Sequence, residues 1–419
     1  MQKKNQINKM KSEQYLSGPN IWKEYQFTDD QGNNKWFHMF GDKHIVIPKE
    51  FCPNGYNFID FLEDWFNELS KYKIYSEFYL EIPYKLNEKN IEEDSYLTII
   101  YKKFRDCFIN SNKCKYMPYV KMHTTDIRST HKFVGHQFNQ EITTTVPQLI
   151  KNRILYLLQS LSNLTEKRKV QLIKTASFIQ LLVDRYLPIH SKIFKLLLTS
   201  DDYEVEIKKI LEPIYLEFDS DIYHESDFDK LKETNQRLFS LKDKNKKFIL
   251  KHQLDQLQKD NVKHNDVLLS DLILQFMIQT SNYYQKEQLS KFYNAWSNIF
   301  MELIGDLDIR KIVGLIDLYQ KDLNVPLTVI DSTLLDCYIL AKSFRNQNND
   351  LKRTVLTVIF EGSNHVDIQS IFFEQVLKIK PLHSVKGMKQ HTRCLDIGDI
   401  SKVFDAKQYA ENVLLVRLI

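Results

Sequence analysis

Two short stretches near opposite ends of the chain constrain its fold more than any other feature. The first is Phe37-His38-Met39-Phe40-Gly41-Asp42-Lys43-His44, and the second is Val355-Leu356-Thr357-Val358-Ile359-Phe360-Glu361-Gly362-Ser363-Asn364-His365. Each is an apolar, β-prone run that meets a Gly, with a His three residues beyond it. A run with so little polar alternation needs apolar cover on both faces, as a strand has in a parallel sheet flanked by helices. Gly at the carboxyl end of such a strand lets the backbone turn sharply or approach a ligand closely. In open α/β sheets that edge is where ligands bind. The pattern therefore predicts two imidazoles, His44 and His365, on loops at the mouth of one sheet.

The residues between these stretches supply more strands and more charged strand ends. An Asp/Gly/Asn cluster, Asp29 to Asn34, separates two aromatic segments and reads as a hairpin turn. Apolar positions 58, 61, 62, 65, 66 and 69 keep helical spacing behind Asn57, a suitable cap. Glu77 to Pro83 reads as a strand that delivers Glu81 to the same edge, and strand-helix-strand predicts a crossover with parallel strands. A helix over Ser95 to Phe108 precedes a third strand, Tyr119 to Arg128, which ends on Asp126 and Arg128. Later, Asp331 or Ser332 is placed to cap a helix over Leu334 to Phe344, and Ile371 to Leu377 reads as another helix. His131 and His136, five apart, do not match a helical metal pair and read as loop residues. Any one charged residue at a strand end is commonly just solvated. His44, Glu81, Asp126, Arg128 and His365 together are a set that a random surface seldom supplies.

At 419 residues the chain exceeds the roughly 250–300 at which single cores stop growing. The expected organisation is a polar tail over 1–20, an α/β core in two parts over 21–145 and 323–419, and a helical insertion over 146–322. That insertion has 3.6-period segments with hardly a Gly or Pro, broken at Pro188, Pro213 and the charged run 243–247. The expected fold class is α/β, with a mostly parallel sheet, flanking helices and this large all-helical insertion. A net charge of +4, from 58 basic and 54 acidic residues, gives no broad footprint for nucleic acid. No run reaches the ~18 apolar residues that span a bilayer, and the start is polar. The five scattered cysteines, without a Cys-x-x-Cys pair, fit a reducing compartment. The expectation is a soluble, cytoplasmic protein without a membrane partner.

The strand-end residues support two chemistries and one binding role. Without a metal, His44 or His365 takes a proton from water, Glu81 or Asp126 fixes its tautomer, and Arg128 faces a developing oxyanion or an anionic substrate group. The result is hydrolysis of an ester or amide. With a metal, His44, His365 and Glu81 hold a divalent cation such as Zn, Mn or Fe, whose bound water becomes the nucleophile. As a binding pocket alone, the same groups hold haem or an anionic metabolite, while the helical insertion docks a protein partner.

Phe40-Gly41-Asp42-Lys43-His44, the Leu80-Glu81 strand end, Asp126-Ile127-Arg128 and Glu361-Gly362-Ser363-Asn364-His365 resemble the Tiki, erythromycin esterase and ChaN superfamily. Its members carry two Gly-x-x-His elements with a Glu and an Arg on an α/β core. The same order resembles uncharacterised proteins of large cytoplasmic DNA viruses, and heavy use of Lys, Asn, Ile, Tyr and Phe fits an AT-rich genome. The resemblance touches about residues 36–128 and 330–370. It implies hydrolysis of small-molecule or peptide substrates, metal-dependent as in Tiki peptidases or metal-independent as in erythromycin esterases, or haem binding as in ChaN. It also implies a site in the host cytoplasm or the virion. On this resemblance His44 and His365 match the motif histidines, Glu81 the acidic position and Arg128 the basic one. Gly41, Asp42, Gly362 and Asn364 become candidate substrate-binding residues. The chain departs from the pattern in having Asp42 where many members have Glu, and in its long helical insert. The alternative is a non-catalytic viral structural or host-interaction protein on the same scaffold.

Overall fold

A computed structural model of the chain describes residues 14–42, 52, 55–83, 96–109, 114, 117–127, 249–304, 328–345, 356–387 and 393–411, with isolated positions between 196 and 319. After the short strand β1 (Tyr15–Ser17), β2 (Ile21–Thr28) and β3 (Asn34–Asp42) form an antiparallel hairpin that closes at Thr28 and Asn34. The turn forms because Asp29 Oδ1 accepts from the backbone N–H groups of Gln31 at 2.9 Å and Asn33 at 2.8 Å, while Gly32 takes a φ of +79°. Strand β4 (Tyr56–Asn57) leads into α1 (Phe58–Lys71), capped as the sequence predicts by Asn57, whose Oδ1 accepts from Ile59 N at 2.9 Å. Then follow β5 (Ser76–Pro83), α2 (Tyr96–Lys103), α3 (Arg105–Ile109) and β6 (Val120–Asp126).

The chain continues through α4 (Ile249–Lys259), β7 (Lys263–His264), β8 (Val267–Leu268), α5 (Leu269–Ile304) and α6 (Thr328–Ser343). It returns to the sheet in β9 (Leu356–Gly362), runs on as α7 (Ser363–Ile371) and a π-helical turn (Phe372–Val376), and ends in β10 (His383–Lys386), β11 (Cys394–Asp396) and α8 (Ile400–Val403). Six strands make one sheet in the order β10-β2-β3-β9-β5-β6. Strands β3, β9, β5 and β6 are parallel, and β2 runs against β3. The expected mixture of helices with parallel strands is therefore present. Every residue of β9 is buried. One face of the sheet packs on α1 through an aromatic layer, with Phe58 5.0 Å from Phe360 and 4.8 Å from Phe40.

Several expectations need correction. The polar tail ends before residue 20, because β1 pairs with β11 and β4 in a second, three-stranded sheet. Helix α6 starts at Thr328, so Asp331 and Ser332 lie inside it and not at its start. Helix α7 begins directly after Gly362, so His365 sits on a first helical turn and not on a loop. Within 146–322, most of the described residues are helical, and the β7–β8 hairpin interrupts them. Its turn residues Asn265 and Asp266 both take positive φ, and their N–H groups donate to Asp30 at 2.9 and 2.8 Å. The chain divides into two compact units, residues 1–127, 253–276 and 335–419 in one, and 128–252 and 277–334 in the other. No helix among the described residues is long and apolar enough to cross a membrane.

Four of the five cysteines are paired, Cys52 with Cys394 and Cys107 with Cys114, which corrects the expectation of reduced thiols. Scattered spacing hid both bonds, since the partners meet only when the chain ends converge or a helix end turns back. Cys337 is free and buried. Alkylation in denaturant without reductant should therefore label one cysteine, and after reduction five; labelling of three or more before reduction would contradict the pairing.

The aromatic face also buries a histidine. Trp22 Nε1 donates to His38 Nδ1 at 3.4 Å, which leaves the proton of the neutral ring on Nε2, 2.9 Å from the Tyr409 hydroxyl. Burial lowers the His38 pKa from 6.5 to about 4, against the pull of Glu24. Between those values the unfolded chain binds the proton that the folded one excludes, so stability falls as pH falls. At 1.36 kcal/mol per pKa unit, His38 alone should remove about 3 kcal/mol between pH 7 and 4. Urea midpoints across that range should show the loss, and His38→Phe should flatten it.

Candidate functional site

Side chains alternate along a strand, so Glu77, Tyr79 and Glu81 share one face of β5, and Thr357, Ile359 and Glu361 share that face of β9. The parallel register pairs Tyr79 with Ile359 and Leu80 with Phe360, which sets Glu81 beside Glu361 at the carboxyl edge. Helix α6 adds Asp336, the one charge in the apolar stretch Leu334 to Ala341. Helix α7 adds His365 and Gln369, four residues apart and so on one helical face. Gly41 permits this entry, because a Cβ there would lie 2.3 Å from Ile21 Cγ2 and 2.8 Å from Ser363 Cα, where α7 begins.

These residues form one buried cluster. His365 Nδ1 lies 2.8 Å from Asp336 Oδ1, and its Nε2 lies 3.3 Å from Glu81 Oε1. Gly362 N donates to Glu81 Oε2 at 2.8 Å. Gln369 Nε2 donates to Asp336 Oδ1 at 3.2 Å and to Glu361 Oε2 at 2.8 Å. Asp336, Glu361 and Gln369 are fully buried, with His365 6% and Glu81 7% exposed. Burial by itself would lower the His365 pKa, but Asp336 and Glu81 outweigh it and hold the imidazole well above its ordinary value. Burial, with Asp336 and Glu81 adding to it, pushes Glu361 well above the carboxylate range against the pull of His365. Asp336 is raised mainly by burial. One imidazole thus sits among three carboxyl groups. Asp336 Oδ2, Glu361 Oε1 and Gln369 Oε1 are buried without a hydrogen-bond partner. Asp336, Glu361 and His365 each present an atom suited to a metal ion, all within 4.8 Å of one another. Oxygen and imidazole donors in that number suit a divalent cation.

The structure brings together two of the residues expected at the site, Glu81 and His365. Gly41 and Asp42 pair in register with Glu361 and Gly362. The Asp42 side chain, next in the alternation, points to the opposite face and meets Arg393 at 3.3 Å, where both are buried. Asn364 is exposed on the first turn of α7, and Asp126 is the last residue of β6. His44 and Arg128 lie outside the described residues, as do His131 and His136. Asp336, Glu361 and Gln369 were not singled out by sequence. The available signals were a lone acid in an apolar helix, an acid closing an apolar strand, and an amide one helical turn after the motif histidine.

Comparison of the chain with protein-family models, with curated proteins and with solved structures finds no match in any of the three. Gly41→Ala should destabilise the fold by about 1–3 kcal/mol, the usual range for overpacking a filled site. Chemical denaturation measures this, and a change within error would show that Ile21 and α7 yield freely.

Proposed function

We propose that this chain is a hydrolase of ester or amide bonds, acting on a small molecule or peptide, with Glu81, Asp336, Glu361 and His365 as its centre. The observation that carries the proposal is the convergence of Asp336, Glu361 and His365, each with an atom suited to a metal ion, beside buried Asp336 and Glu361 oxygens without hydrogen-bond partners, at the sheet edge where α/β proteins bind ligands. A divalent cation, Zn, Mn or Fe, suits that donor set, and Asp336, Glu361 and His365 are the residues that would hold it. Bound there, it would supply Lewis acidity. Glu81 is fixed by the Gly362 N–H and lies against His365, a placement suited to accepting a proton from the attacking water. The Gly-x-x-His and Glu resemblance supports the same reaction class. In this reading the helical part of 146–322 serves a protein partner. The disulfides favour maturation in an oxidising compartment over the reducing cytoplasm expected from the cysteine spacing.

One observation favours a second, non-catalytic reading. Asp336 and Glu361 have no exposed surface, and closed sites are typical of structural metals. Elemental analysis and calorimetric titration with Mn²⁺ and Zn²⁺, followed by ester and peptide substrate panels, separate the two. We expect one cation per chain, at least tenfold weaker binding in Asp336→Asn, and turnover that falls at least 100-fold in Glu81→Gln while the cation is retained. A cation bound without turnover on any substrate leaves only the structural reading. Absence of binding overturns both.

A further inference from the structure

We infer that Gln369 is the positioning residue of this centre, holding two carboxylates so that their free oxygens face one cation; this rests on the cation reading above. Gln369 Nε2 carries two hydrogens and meets two carboxylate oxygens, Asp336 Oδ1 at 3.2 Å and Glu361 Oε2 at 2.8 Å. The opposite amide orientation would set an oxygen against both, so the carboxylates themselves fix the amide. Asp336 Oδ1 also meets His365 Nδ1 at 2.8 Å, so a single oxygen ties the amide to the imidazole. The oxygens left over, Asp336 Oδ2 and Glu361 Oε1, are the buried ones without partners. Each carboxylate thus has one oxygen committed to the amide and one available to a ligand.

A glutamine suits this task for electrostatic reasons. Lys or Arg would make the same contacts but would also bring the positive charge that the cation supplies. Met would fill the buried helix face without donors, leaving two like charges free to turn apart. A space-filling role is a poor account of Gln369, because its own Oε1 is buried without a partner, a burden that an apolar residue would not carry. Partners that hold metal ligands in place without touching the ion typically change metal affinity by roughly 10–100-fold when removed.

The test is titration of the whole protein with Mn²⁺, followed by calorimetry and by the Mn²⁺ electron paramagnetic resonance signal, with melting temperature recorded for each variant without cation. Gln369→Met should bind Mn²⁺ roughly 10–100-fold more weakly than the unmodified chain and give a broadened spectrum. Gln369→Asn, which keeps the amide but falls short by one methylene, should weaken binding as well and serves if the Met variant does not fold. Ser370→Ala removes a buried hydroxyl from the same helix that donates to Val366 O at 2.6 Å and meets Tyr25, away from the cluster, and should leave affinity unchanged. Unaltered affinity in either Gln369 variant overturns the inference. Equal weakening in Ser370→Ala also overturns it, because helix integrity would then be the cause. If the unmodified chain binds neither Mn²⁺ nor Zn²⁺, the cation reading itself fails, a result distinct from unaltered affinity.

Discussion

Burial of β9 on both faces is the constraint from which the rest follows. The strand enters late in the chain yet lies between β3 and β5, which enter early, and its backbone bonds to both. A strand buried along its whole length cannot sit at an edge without exposing both its side chains and a row of unpaired N–H and C=O groups. Its central place forces the two Gly-bearing stretches side by side and brings α7 over the end of β3. The cluster at the carboxyl edge is thus a consequence of where one strand must hide.

The two faces of the sheet handle polarity differently. Toward α1 the layer is aromatic, and its polar members, such as His38, are kept neutral by burial. Toward α6 a second polar layer lies below the carboxylate cluster. Tyr79 donates to Glu77 at 2.8 Å, and His123 lies 3.3 Å from the same carboxylate. Burial opposes ionisation of Glu77, but the hydrogen bond and charge of His123, with Lys35 and Tyr79, bring its pKa down to about 2. Lys35 donates to Ser343 O, so β3 provides the cation that the carboxyl end of α6 favours. Glu77 therefore has a full set of donors, whereas Glu361 and Asp336 do not. Two acidic groups on one sheet face differ in their capacity for a ligand because of what surrounds them.

This contrast separates a satisfied ionic network from a candidate centre. Buried carboxylates are tolerated when hydrogen bonds and opposite charge accompany them, and become ligand sites when some lone pairs stay open. Glu77 belongs to the first kind, and Asp42, which stands in the motif that first drew attention, is ion-paired with Arg393. Asp336, in no motif, belongs to the second.

Much of the fold was legible because it is local. Aromatic segments and turn chemistry marked the β2–β3 hairpin, helical spacing and Asn57 marked α1, and apolar runs marked β3 and β9 as interior strands. Glu81 and His365 were legible as residues closing such elements. Tertiary structure alone decided that a helix carries Asp336 over Glu361, that Asp42 turns to the opposite face, and that Cys52 meets Cys394. The physical reason is that a strand's period of two and a helix's of 3.6 set which residues share a side. Which sides then face each other depends on the order of strands in the sheet, and that order is set by contacts between distant parts of the chain.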